Sequence, residues 1–184
     1  MAIGEDFGGV LSAAQSGAGW AFEVLYGTFA PAVAGYLRAQ GAEADDLASE
    51  VFLRVFRDLG SFSGTEGQFR SWVFTIAHAR LIDERARLRR RVPLARNGLD
   101  GASETAGGNV EDDVLGRLAE ARVRELCAGL APDQRDVLLL RLVADLTVEQ
   151  VAATLEKTVG ATKALQRRGL AGLRREIERK GVPL

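Results

Sequence analysis

The chain has 184 residues, is 47% hydrophobic and 27% charged, and carries a formal net charge of −1. That balance fits a soluble globular protein and excludes a uniformly basic nucleic-acid binder. With one cysteine and one histidine, an internal disulfide and a protein-only zinc site are both excluded. No apolar run approaches the ~20 residues of a membrane-spanning helix. The N-terminus, Met1 to Asp6, is acidic and lacks the basic-then-apolar order of a signal peptide. A reducing cytoplasm is the expected compartment, without membrane insertion.

Residues 1–19 are rich in Gly, Ala and Ser and read as a flexible tail. Phe22, Leu25, Phe29, Val33 and Leu37 then recur at helical steps, with Pro31 as a possible break and Gly41 as the stop. Leu47, Val51, Val55 and Leu59 mark a second helix from about Ala44 to Leu59, with Asp45 and Asp46 in its first turn. After a Ser/Gly/Thr loop, a third helix starts near Gln68. It carries Phe69, Trp72, Val73, Ile76, Ala77 and Leu81, and runs into an arginine-rich stretch that stops before Pro93. Residues 93–109 have little periodicity and read as an acidic, Gly-rich flexible linker.

Helical pattern resumes near Val110 and ends at Gly129. Pro132 suits the first turn of the next helix, whose apolar side is Val137, Leu138, Leu140 and Leu142. Thr147 and Gln150 form the spacing of a capping box. They open a short helix bearing Val148, Val151, Ala152 and Leu155. A turn at Glu156-Lys157 follows, and Thr158 caps a last helix reaching about Lys180. The fold class is therefore all-α: two small helical domains, 20–92 and 110–184, joined by the linker.

Charge is segregated along this plan. Seven arginines face two acids between Arg80 and Arg96, and eight basic residues face two acids between Lys157 and Lys180. Between Asp100 and Glu120, six acids face one arginine. Two basic blocks around an acidic one point to two separate nucleic-acid faces.

Thr147 to Leu170 has the layout of a helix-turn-helix, with Ala152 and Ala153 allowing close helix approach. Lys163 and Arg167, four apart on the second helix, share a face and can reach guanine edges or phosphates, with Gln166 nearby. In the third helix, aromatic rings beside arginines suit capture of unpaired bases, although Phe69 and Trp72 also fit a core. His78 has no evident partner and is expected on the helix surface. No Gly-rich phosphate loop, metal cluster or nucleophile–base set is present, so neither an enzyme nor a cofactor is expected.

These blocks, in this order, resemble the sigma-70 family of RNA polymerase sigma factors. Residues 43–56 (EADDLASEVFLRVF) resemble the D/E-D-L-x-Q-E-V-F-L-R-V-W run of sigma region 2. Residues 69–77 (FRSWVFTIA) and 80–83 (RLID) resemble its F-R-x-W-L-x-x-I-A-x-N-x-x-I-D run. Residues 130–141 (LAPDQRDVLLLR) resemble the L-P-P-x-Q-R-E-V-L-x-L-R opening of region 4, and 146–173 its helix-turn-helix. Nothing resembles regions 1.1 or 3, which points to the compact extracytoplasmic-function (ECF) type.

The resemblance implies roles. Asp46, Glu50, Leu53, Arg54 and Arg57 would dock on the clamp helices of the polymerase's largest subunit, and region 4 on its flap. Phe62, Phe69, Trp72, His78, Arg80, Arg85 and Arg87 would recognise and melt the −10 element as single strand. Thr158, Gly160, Lys163, Ala164, Gln166 and Arg167 would read the −35 duplex. The acidic residues Asp100, Glu104, Glu111, Asp112 and Asp113 would lie in a linker threading the polymerase. An anti-sigma partner is common for the type. Departures from the family pattern are Ser49 for Gln, Ala79 for an Asn that helps read the −10 base, Glu156 for Gly and Thr162 for Val. A stand-alone helix-turn-helix regulator is the alternative, as is a helical adaptor that binds no DNA.

Overall fold

The computed structural model describes residues 2–91 and 121–180. The expected linker, its acidic residues and the chain from 110 to 120 lie outside the described residues. Every regular element within them is helical.

The first module contains α1 (Phe7–Gln15), α2 (Gly19–Ala39), α3 (Ala44–Asp58) and α4 (Glu66–Arg91). Helix α1 corrects the expectation of a flexible tail. Phe7, Val10, Leu11 and Ala14 form one helical stripe, and all four are buried. The glycines around this short stripe masked it. Pro31 does not break α2. The bond it cannot make falls on the Gly27 carbonyl, and both residues are exposed, so water can take the acceptor. Gly41, with φ +77°, ends the helix in the left-handed region.

The second module contains α5 (121–127 in its described part), α6 (Pro132–Leu142), α7 (Val148–Thr154) and α8 (Val159–Arg179). Pro132 occupies the first turn of α6. Both halves of the Thr147–Gln150 capping box form, and Thr158 caps α8 by accepting from the Ala161 N–H at 3.1 Å. The turn between α7 and α8 places Glu156 at φ 52°, where glycine would be unstrained.

Helix α8 lies tight on α6 because Gly169 and Gly172 face it. A Cβ at 169 would sit 3.1 Å from Leu138 and 3.3 Å from the Gln134 carbonyl oxygen, and one at 172 would sit 2.7 Å from Leu130. Of the two alanines expected at the helix contact, Ala152 is buried and Ala153 is exposed. Thr162 is buried between the helices.

The modules touch each other along α4–α7 and α2–α6. Their seam is polar. The Gln40 amide donates to Asp136 at 2.5 Å, with both side chains buried. Thr75 and Thr154 hydroxyls meet at 3.1 Å, and Gln150 Nε2 donates to the Gly67 carbonyl at 2.9 Å. Among the described residues four polar side chains are buried, and three of them, Gln40, Asp136 and Thr154, lie on this seam.

Candidate nucleic-acid and partner interfaces

Three surfaces follow from this frame. The first is the outer face of α3. Asp46, Glu50, Leu53, Arg54 and Arg57 fall at helical steps and are all exposed, whereas Leu47, Ala48, Val51, Phe52 and Val55 point inward. Leu53 is 71% exposed. Arg54 and Arg57 donate to Asp58 at 2.8 and 2.9 Å, and these bonds hold its carboxyl below the usual range. Arg80 of α4 reaches Glu50 at 3.6 Å. Leu53 thus stands exposed among charged side chains on this face.

The second surface is the start of α4 and the loop before it. Thr65 and Gln68 exchange backbone and side-chain bonds at 2.8 and 3.3 Å, a second capping box with the same spacing as Thr147–Gln150. Phe62 of the loop stacks on Trp72, with centroids 5.1 Å apart and planes 25° off parallel, and both rings are half-buried. They form an aromatic platform at the head of α4.

The remaining residues expected in this set do not join that platform. Phe69 is wholly buried among Phe7, Phe29, Phe62 and Trp72, so its role is corrected to core. His78 is not a surface residue without partner. It is half-buried, and its Nδ1 lies 2.9 Å from the Tyr36 hydroxyl. Burial pushes the His78 ring below its ordinary value, with Arg85 and Lys157 adding to the effect and Asp136 opposing it. Burial also raises the Tyr36 phenol, with the neighbouring Asp136 charge adding to the effect. Arg85 donates to the Gln40 backbone and side-chain oxygens at 3.2 and 2.7 Å, which turns it toward the seam. Arg87 forks onto Glu84 at 2.7 and 2.8 Å, about 22 Å along the helix from Trp72.

The third surface is the exposed side of α8. Gly160, Lys163, Ala164 and Arg167 share one stripe, with Lys163 and Arg167 exposed. Space is open around Gly160. Gln166 is half-buried at the edge of the stripe, and Thr158 spends its hydroxyl on the cap at the stripe's N-terminal end. Among the described residues neither Lys163 nor Arg167 has an ion-pair partner, while Lys157 is paired with Asp133 at 2.9 Å. The expected −35 set is thus brought together, apart from the edge position of Gln166.

Sequence reasoning missed Gln15, which donates to two carbonyls of the loop before α4, Glu66, which holds the chain at Ile3 and Gly4, Tyr36 beside His78, and the seam residues Gln40, Asp136 and Thr154. The Thr65–Gln68 box was readable from spacing; the others carry no local signal. Among the described residues no helix is long and apolar enough to cross a membrane, and no group of three His, Cys, Asp or Glu gathers as a metal site.

A family profile described as Sigma-70 region 2 matches residues 25–91, and one described as Sigma-70, region 4 matches residues 128–175. The chain is similar to the ECF RNA polymerase sigma factor BldN of Streptomyces coelicolor, at 34% identity over 88% of this chain and 62% of that protein's length. It is also similar to the ECF RNA polymerase sigma factor SigD of Mycobacterium tuberculosis, at 31% identity over 97% of this chain and 87% of that protein. Among solved structures, CnrH in complex with the cytosolic domain of CnrY shares the fold, with TM-score 0.65 and 23% identity over 92% of this chain and 95% of that one.

Proposed function

This chain belongs to the ECF type of the sigma-70 family, and from that premise we propose that it binds core RNA polymerase and directs it to −35/−10 promoters, where it opens the DNA and starts transcription. The observation that carries the reading is the separation of three open faces on one small chain. Exposed Leu53 with its charged rim offers the polymerase contact. The Phe62–Trp72 stack offers a platform for unpaired bases. The Lys163–Arg167 stripe offers a duplex reader.

The division of labour follows from chemistry. Lys163 and Arg167 can donate to guanine O6 and N7 or to phosphate in a major groove. A capped helix N-terminus at Thr158 adds favourable backbone dipoles toward phosphate. Flat aromatic rings gain ~1–3 kcal/mol per stacked base only once the strands part, so the α4 platform favours the melted state over the duplex. Arg87 and its neighbours Arg89 and Arg90, all exposed, extend the positive track along the backbone of the same strand. In this reading the protein acts in the cytoplasm, is not itself an enzyme, uses no cofactor, and has polymerase, promoter DNA and an anti-sigma protein as partners.

The test is reconstitution. Core enzyme plus this protein on genomic DNA, followed by transcript sequencing, is expected to yield start sites sharing −35 and −10 elements. Core binding without transcripts would overturn the reading. Tight duplex binding by the isolated protein, unchanged by core enzyme, would favour a stand-alone regulator.

A further inference from the structure

Resting on that reading, we propose that Gln15, on helix α1, is a positioning residue for promoter opening: it fixes the loop between α3 and α4 so that the Phe62–Trp72 stack is preformed for an unpaired base. Helix α1 lies outside the span matched by the region 2 profile, which begins at residue 25.

The loop's own bonds are short-range: the Ser61 hydroxyl donates to the Asp58 carbonyl at 2.7 Å, the Phe62 N–H to the Leu59 carbonyl at 3.0 Å, and Thr65 with Gln68 closes the cap of α4. Gly60, Ser61, Ser63, Gly64 and Thr65 are all exposed, and Phe62 supplies the one large side chain. Small and Gly-rich segments lose much conformational freedom when fixed. Gln15 adds a constraint from outside the loop. Its Nε2 donates one hydrogen to the Leu59 carbonyl at 3.0 Å and the other to the Phe62 carbonyl at 2.7 Å. The two acceptors belong to the first residue of the single turn Leu59–Ser61 and to the residue that follows it, so one amide pins both the entrance of the loop and the backbone of its stacking residue.

Helix α1 is itself anchored where the loop ends. The backbone N–H groups of Ile3 and Gly4 each donate to Glu66 at 2.9 Å, in the first turn of α4. Phe7 packs on Phe69, directly beneath the stack, with ring centroids 5.6 Å apart. The N-terminal segment therefore grips the platform from below and at both ends. A binding surface fixed in advance avoids the ordering cost at the moment of capture.

The test uses the full chain with core polymerase, on a promoter drawn from the start sites found in the reconstituted system. Gln15→Glu keeps the shape of the side chain and removes both donors; Gln15→Lys restores a donor at a similar reach. Opening is followed by permanganate reactivity of −10 thymines, alongside core affinity, −35 duplex binding in the holoenzyme and melting temperature. Loss of two hydrogen bonds, with a carboxylate set against two carbonyl oxygens, is expected to lower the melting temperature modestly and to slow opening in Gln15→Glu by roughly tenfold, with core affinity and −35 duplex binding unchanged and with opening recovered in Gln15→Lys. Wild-type opening by Gln15→Glu, a parallel fall in core affinity or −35 binding, or no recovery in Gln15→Lys would overturn the proposal. Failure of the wild-type protein to open any promoter would instead remove the functional reading, and this proposal with it.

Discussion

Helices α4 and α8 are both long and basic, yet they divide their surfaces in different directions. Helix α4 is divided along its length. Phe69, Val73, Phe74, Ala77 and Leu81 bury its first half, and the arginines Arg87, Arg89 and Arg90 stand exposed beyond. Helix α8 is divided around its circumference. Glycines at 169 and 172 and Thr162 face inward, while Lys163, Arg167 and Arg168 line the outside. Bulk in the core leaves α4 an aromatic end and a charged end, a long track suited to a single strand. Removing bulk lets α8 lie close to its neighbour and present one narrow charged edge, a shape suited to a groove.

The largest effect that bears on this contrast is expected at Phe69. Phe69→Ala empties a fully buried site and should lower stability by about 3–5 kcal/mol, read by urea denaturation. Intact stability with lost promoter opening would return Phe69 to the DNA face and break the lengthwise division. Next, Gly169→Leu would force α8 away from Leu138 and the Gln134 carbonyl. A loss of about 3 kcal/mol, at the upper end for overpacking, should appear in thermal melts together with loss of −35 binding. A neutral outcome would show that close approach is not what orients α8.

Arg167→Ala should weaken −35 binding in the holoenzyme by about 1–3 kcal/mol and leave opening of a pre-melted template unchanged. A fall in both would blur the separation between the two helices. The smallest effect belongs to His78. Burial holds its folded pKa below the ordinary value, so between the two values the unfolded chain binds the extra proton. Stability is then fully present above about pH 6.5 and declines as pH falls below it. His78→Gln, which keeps a hydrogen-bonding side chain opposite Tyr36, should flatten this decline in melts taken from pH 7.5 to 5.5.

What was legible in the sequence was whatever depends on local spacing. The stripe in α3, the Thr147–Gln150 box, Pro132 at the start of α6 and the stripe of α8 all follow from residues within a few turns of each other, and all stand as read. What was not legible depends on contacts across the chain. Phe69 looks identical as a stacking ring or a core ring until Phe7 and Phe29 are seen to enclose it. His78 acquires its meaning from Tyr36, forty-two residues away, and Asp136 from Gln40, ninety-six away. Helix α1 was hidden for a different reason: four apolar residues among glycines give a weak periodic signal, and its helix is stabilised by the bundle it covers.

The amide of Gln150 serves two masters, closing the cap of α7 with its oxygen and reaching Gly67 with its nitrogen. Helix α4 begins with its own box at Thr65–Gln68 and needs nothing from Gln150 to stay wound. Drawing the halves of the protein apart at this point therefore costs one donor that solvent readily replaces, and neither helix frays. This one bond behaves like a press-stud: it helps set how the halves meet, and its release leaves the cloth on either side intact.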